Sequence, residues 1–430
     1  MLTLVDLRGY AGDLAEALPR ATFDRATARE SVRAVVDDVR GRGDAAVAEA
    51  SVRFGGSRTE PRKVTDEEID AAAQRCPAGL VGAMKAAAER IRAYHERQLA
   101  EERAAWWRIG DEDARVGEET RPLRRAGCYA PGGRAAYPST ILMTTIPALT
   151  AGVEEVCVCV PGAPDGSGIH PATLAALGVV RVREAYECGG AQAIAAMAYG
   201  TETIPRVDKI VGPGSIWVAL AKHEVALDVG VDSFAGPTEV AIVADADAPP
   251  AFVAADLVAQ AEHDPLATAL LVTPDSGLIN AVEEALAKEL ADVERRDDIE
   301  ASLRRQGRAV LVEDVDRALA VADAFAPEHL ELVVADAEQY LPKVRNAGAV
   351  FVGAYSPVAL GDYVAGTNHV LPTFGSARFA SPLRVADFIK STAVVQFERA
   401  GVSEVAPALL AIARAEGLTA HARAIEVRLR

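Results

Sequence analysis

From Arg124 onward the chain repeats one texture: a short β-branched run, a glycine turn, then an alanine-rich helical stretch. VCVCVPG, VREAYECGGAQAIAAMAYG and DKIVGPGSIWVALAKHEV carry it first; EVAIVAD, TALLVTP, AVLVED, LELVVAD and AVFVGAY carry it again after Gly236. Strand and helix in alternation point to parallel sheets, because consecutive parallel strands need a crossover long enough to be a helix. Two α/β units in tandem are expected, and with no Gly/Ser/Pro linker between them they should form one rigid body with a cleft. The first quarter, including the run from Leu80 to about Trp106, has helical spacing and reads as packing helices. The stretch from about Leu383 to the end also reads as helical, with Gly417 closing one helix and Thr419 capping the next.

The 62 acidic residues outnumber 45 Lys and Arg, for a formal net charge of -17. That balance argues against nucleic acid or an anionic membrane as the main partner. No apolar run has membrane-spanning length, and the start, MLTLVDLRGYAGDLAEALP, lacks the basic and apolar regions of a secretory signal. Five scattered cysteines, Cys76, Cys128, Cys157, Cys159 and Cys188, read as reduced thiols, so a cytoplasmic protein is expected.

The G-x-G-x-x-G dinucleotide fingerprint is absent. Gly212-Pro213-Gly214-Ser215 follows a strand and opens a helix, so its backbone N–H groups can meet an anion, or it is simply a turn. Gly132-Gly133 and Gly189-Gly190 mark two more tight strand exits. Four of the seven histidines have chemically suggestive neighbours. Gln260 and His263, three apart, share one helix face and can hold a metal; the plain alternative is a histidine at a helix end stopped by Pro265. Glu328 and His329 stand before the apolar run LELVVAD, either sharing general-base work in a cleft or solvated at a strand entrance. Asp362 and His369 bracket the polar, glycine-rich GDYVAGTNH. His421 lies with Glu416 near the C-terminus, either solvated or on a tail that docks. Gln260, His263, Asp362 and His421 would together supply an O/N ligand set suited to zinc or another divalent transition metal.

CYAPGGRAAYPSTILMTTIPA, ECGGAQAIAAMAYGT, VDKIVGPGS, AGPTEV, DLVAQAEHD, APEHLEL, GDYVAGTNHVLPT and EGLTAHARAIEVRL, taken in order, resemble the histidinol dehydrogenase family from about Val5 to Leu429. The resemblance implies two incomplete Rossmann-like parallel-sheet domains with an N-terminal helical arm and a C-terminal helical tail, in a domain-swapped homodimer. The expected division is an arm over 1–25, a first α/β domain from 26–127 and 239–383, a second, NAD-side domain over 128–238, and a tail over 384–430 reaching the partner. The implied activity is oxidation of L-histidinol through the aldehyde to L-histidine with two NAD. By the same resemblance Gln260, His263, Asp362 and, from the partner, His421 would hold zinc; Glu328 and His329 would be the catalytic bases; Thr238, His369 and Glu416, with the zinc ligands and His329, would meet the substrate; and Tyr129, Gln192 and Ser215 would meet NAD. Ser215 stands where the family commonly has Asn, and Thr238 where it commonly has Ser. Two other readings share these residues: a dehydrogenase of another small polar alcohol, and a zinc hydrolase using Glu328.

Overall fold

The computed structural model describes residues 1–18, 20, 25–54, 60–102, 105–108, 114–132, 136–233 and 236–430. Among them the strands form two six-stranded sheets and one three-stranded sheet. The first sheet runs Thr3–Asp6, Gly307–Leu311, Thr268–Thr273, Glu239–Ala244, His329–Val333, Ala349–Val352, with every pairing parallel. The second runs Arg62–Lys63, Glu184–Glu187, Glu155–Val160, Arg125–Tyr129, Lys209–Val211, Gly230–Val231, parallel except at its short first edge strand. Every residue of Glu239–Ala244 and Thr268–Thr273 is buried, as expected of strands covered by helices on both faces. Accordingly each sheet has a core on either side: Val240 and Ile242 pack with one cluster while Ala241 and Val243 pack with another. The parallel α/β expectation and its strands from Arg125 to Val352 are therefore met.

The division between the two units differs from the expected one. Helix Arg25–Arg42 packs on Gly190–Tyr199 and Ile216–Val225, and Leu80–Leu99 packs on Pro138–Ala151. Residues 26–127 thus largely belong with 128–238, not with 239–383. Thr3–Asp6, expected in a helical arm, instead adds a parallel strand to the first sheet beside Gly307–Leu311. Helical periodicity reveals that Val32, Val35, Val36 and Val39 form an apolar stripe, but not which sheet that stripe covers.

Two further segments depart from the helical reading. The helix from Leu80 ends at Leu99, and Ala105–Arg108 is a strand. Ile389–Phe397 pairs antiparallel with Ala114–Pro122, and only then come helices Arg399–Ala415 and Thr419–Leu429. A largely exposed ribbon shows no clear apolar alternation, which hides it from a pattern search. Gly417, at φ +73°, lies in the turn after the first helix as expected, whereas Leu418, not Thr419, occupies the cap position of the second. The five cysteines are unbridged. Among the described residues no helix is long and apolar enough to cross a membrane.

Candidate active site

The parallel register sets Val240 beside His329, so the residues just before each, Glu239 and Glu328, enter the first sheet side by side at its amino edge. Glu328 is buried; its Oε2 accepts the Thr238 hydroxyl and, at 3.1 Å, the Glu239 amide. Burial pushes the Glu328 carboxyl up to about 7, even though these two hydrogen bonds favour its charged form. His329 is 4% exposed, and its Nδ1 lies 3.0 Å from the Glu239 carbonyl. A carbonyl only accepts, so Nδ1 carries the proton and Nε2 keeps a free lone pair. Burial also holds His329 below its ordinary pKa, in the neutral form a base requires.

A second chain of hydrogen bonds reaches the same carboxylate. Buried Gln260 donates through Nε2 to Thr238 Oγ1 at 2.8 Å, and that hydroxyl passes its own proton to Glu328. The orientation leaves Gln260 Oε1 buried with no hydrogen-bond partner. Nearby, His263 Nε2 and Asp362 Oδ2 face each other at 3.9 Å, and Glu328 feels the charge of both. That gap is too long for a hydrogen bond, and an imidazole nitrogen facing a carboxylate oxygen is a pair that would suit a zinc ion. An orphaned amide oxygen, an imidazole nitrogen and a carboxylate oxygen fit a zinc ion better than any neutral neighbour. Among the described residues no group of three or more His, Cys, Asp or Glu is placed to hold a metal by itself.

His369 links the two units. Its Nδ1 donates to the Asp362 backbone carbonyl at 3.0 Å, which leaves Nε2 to accept the Thr140 hydroxyl at 3.3 Å. Thr140 lies in the first turn of Pro138–Ala151, just after the carboxyl end of strand Arg125–Tyr129. The amino edge of the first sheet is therefore joined to the carboxyl edge of the second.

On that carboxyl edge lies a cavity of about 380 Å³ lined by Ser51, Cys188, Gly190, Gln192, Ser215 and Trp217, among others. Strand order reverses between Arg125–Tyr129 and Lys209–Val211, the kind of switch point where open α/β sheets bind ligands. Gly212 leaves the second strand at φ +115°, and a Cβ there would sit 2.0 Å from the Tyr129 carbonyl oxygen, so no other residue fits. Both backbone groups of Gly212 are clamped. Its amide donates to Asp232 Oδ2 at 2.7 Å, its carbonyl accepts the buried Lys222 Nζ, and Lys222 closes the ring on Asp232 Oδ1 at 2.6 Å. Ser215 is the exposed cap residue of helix Ile216–Val225 and makes no side-chain capping bond, leaving its hydroxyl available. Tyr129 lies beneath this turn region, its hydroxyl accepting the Gly190 amide at 3.1 Å. Gly133 of the Gly132-Gly133 pair lies outside the described residues.

The structure thus brings together Thr238, Gln260, His263, Glu328, His329, Asp362 and His369, and separately Tyr129, Gln192 and Ser215. Glu416 and His421 stay exposed on the C-terminal helical hairpin, with no hydrogen bond or ion pair to that cluster among the described residues. Sequence reasoning missed Glu239, whose backbone holds both Glu328 and His329, although an acidic residue opening the apolar strand EVAIVA is a visible signal. It also missed Thr140, Lys222 and Asp232, which carry no spacing signal.

Known proteins of similar sequence and fold identify the family. The family model for histidinol dehydrogenase matches residues 18–429. Histidinol dehydrogenase of Rhizobium meliloti is 47% identical over 400 residues, covering 93% of this chain and 91% of the relative. That of a Synechococcus species is 46% identical over 432 residues, covering 100% and 99%. The crystal structure of histidinol dehydrogenase from Elizabethkingia anophelis matches with a TM-score of 0.93 at 33% identity, over 100% of this chain and 98% of that one. By these matches the chain belongs to the histidinol dehydrogenase family.

Proposed function

We propose that this enzyme oxidises L-histidinol to L-histidine at the amino edge of the first sheet, in a homodimer that reads one NAD at a time from the neighbouring cavity. The observation that carries the reading is the pair of differently prepared bases on the backbone of one residue: neutral His329 and near-neutral Glu328, both held by Glu239. Gln260, His263 and Asp362 would hold zinc from one subunit and His421 from the partner, completing the set that one chain leaves open. Zinc, when bound, would supply a fixed anchor for the substrate's imidazole and so orient the alcohol carbon. Bound NAD supplies the hydride acceptor for both oxidations.

His329 Nε2, with Nδ1 fixed as the donor to Glu239, takes the alcohol proton in the first oxidation. Glu328 takes a proton from water as it adds to the aldehyde carbon; its raised pKa lets it accept a proton readily near neutrality. Thr238 supports the ionised Glu328 with its hydroxyl. His369 and Glu416 would contact the substrate's polar groups, and burial of both bases keeps the intermediate aldehyde from bulk water. Tyr129, Gln192 and Ser215 line or underlie the nucleotide turn, Ser215 offering one hydroxyl donor where Asn would offer an amide.

The test is NADH formed per L-histidinol consumed by the zinc-loaded enzyme, with the product identified. Two NADH per histidine support the reading. A folded, zinc-loaded enzyme that forms no NADH from histidinol redirects the search to other small polar alcohols, and one that hydrolyses esters or amides without any nucleotide favours the hydrolase reading.

A further inference from the structure

The strings DLVAQAEHD and APEHLEL each contain an acidic residue that the reaction leaves unused: Asp256 and Glu331. Glu331 lies two residues after His329 on the same strand face and is 1% exposed. Its Oε1 accepts the Val358 amide at 2.9 Å, at the start of helix Val358–Tyr363, which carries Asp362. Its Oε2 is buried and finds no donor. Facing it is the carboxyl of Asp256, one helical turn before Gln260 on Pro250–Glu262. Two residues of strand and four of helix both advance about 6 Å, so Glu331 and Asp256 lie one layer deeper than His329 and Gln260.

Two ionised carboxylates cannot share that space, and a buried oxygen left without a donor is costly. One proton held between them removes both problems, since a protonated Glu331 Oε2 donates to Asp256. We propose that Asp256 and Glu331 hold a single proton between them and that this bond is a positioning device, tying the helix that carries Gln260 and His263 to the helix that carries Asp362. Burial and the mutual like charge push Glu331 up to about 8 and burial raises Asp256 to about 6, in keeping with one proton retained at neutral pH. No other titratable group acts on either carboxyl among the described residues. As a claim about the metal ligands, the inference rests on the zinc reading above.

Glu331→Gln replaces the shared proton with a permanent N–H while keeping the oxygen that meets Val358. The full-length enzyme and this variant are compared for zinc affinity by chelator competition at about pH 7 and about pH 9.5. Zinc hydrolysis and every other pH effect common to the two proteins cancel in the ratio of their affinities, which isolates Glu331. It should be near one at the lower pH and about tenfold or more in favour of the variant at the higher, where the wild-type pair is doubly charged. Glu331→Leu should bind zinc at least about tenfold more weakly at both values. A ratio that does not change with pH, or a folded Glu331→Leu with wild-type affinity, overturns the inference. Should the wild type take no zinc at either pH, the metal reading fails on its own. Thermal unfolding then decides the dyad: a wild-type midpoint that drops relative to Glu331→Gln at the higher pH supports it, and parallel midpoints overturn it.

Discussion

Glu239 holds His329 through its carbonyl at 3.0 Å while its amide holds Glu328 at 3.1 Å, so the backbone of one residue sets the spacing of both proposed bases. Because the two side chains are proposed to serve different oxidations, they should fail separately. His329→Gln should lower kcat for histidinol by about 10²–10⁴-fold while sparing oxidation of supplied histidinal, and Glu328→Gln should do the reverse. Parallel steady-state assays with both substrates read the split; equal losses on both would contradict the assignment.

The acid side of the histidinal rate profile should follow Glu328, which must be ionised to take a proton from water. With its carboxyl at about 7, the rate should rise with pH up to that value and level off above it, where His329, held below its ordinary pKa by burial, is already neutral. Thr238 favours the ionised form through its hydroxyl, so Thr238→Val should move the limb to higher pH by up to about one unit. A profile that Thr238→Val leaves in place would remove Glu328 as its source.

Lys222 and Asp232 are both buried and clamp Gly212 from its two sides. Lys222→Met strands Asp232 without its charge partner and should cost about 3–5 kcal/mol of stability, a loss of several degrees in Tm, together with a raised KM for NAD and an unchanged KM for histidinol. Lys222→Met combined with Asp232→Asn should recover part of the stability, since no uncompensated charge remains. Calorimetry and nucleotide titration measure the two effects independently.

His421→Ala and His263→Ala proteins should each be inactive alone. Mixed, unfolded together and refolded, they should regain roughly a quarter of the wild-type activity, the share of sites that random pairing leaves with both native ligands. No recovery in refolded dimers would place His421 and His263 in the same chain's site.

Much of this molecule could be read from residue order alone, for physical reasons that also mark where the reading failed. Strands buried on both faces, such as EVAIVA and TALLVT, announce themselves as unbroken apolar runs, and the parallel topology follows from the helices between them. Gln260 and His263 were legible as one helix face because the helical period brings residues three apart together. Their meeting with Asp362 was not, since nothing local encodes a contact across about a hundred residues. The same limit misassigned the first hundred residues: Val32 and Val36 show that a helix has an apolar side, but only the packed chain shows that Ile194 and Val218 lie among its neighbours. Glu239 escaped notice because it contributes through its backbone, which every residue possesses.

The two sheets meet by opposite edges, and each edge brings its own electrostatic sign. At the amino edge of the first sheet, helices such as Pro250–Glu262 end, pointing the partially negative carbonyl pole of their peptide dipoles toward the bases and the open ligand set. At the carboxyl edge of the second sheet, helices such as Gly190–Tyr199 and Ile216–Val225 begin, presenting their partially positive amide pole to the cavity. For the proposed reaction, one wall of the cleft would therefore favour cations, a metal ion and a protonated amino alcohol, and the other the anionic diphosphate of a dinucleotide. The backbone would sort the two reactants by charge before any side chain touched them.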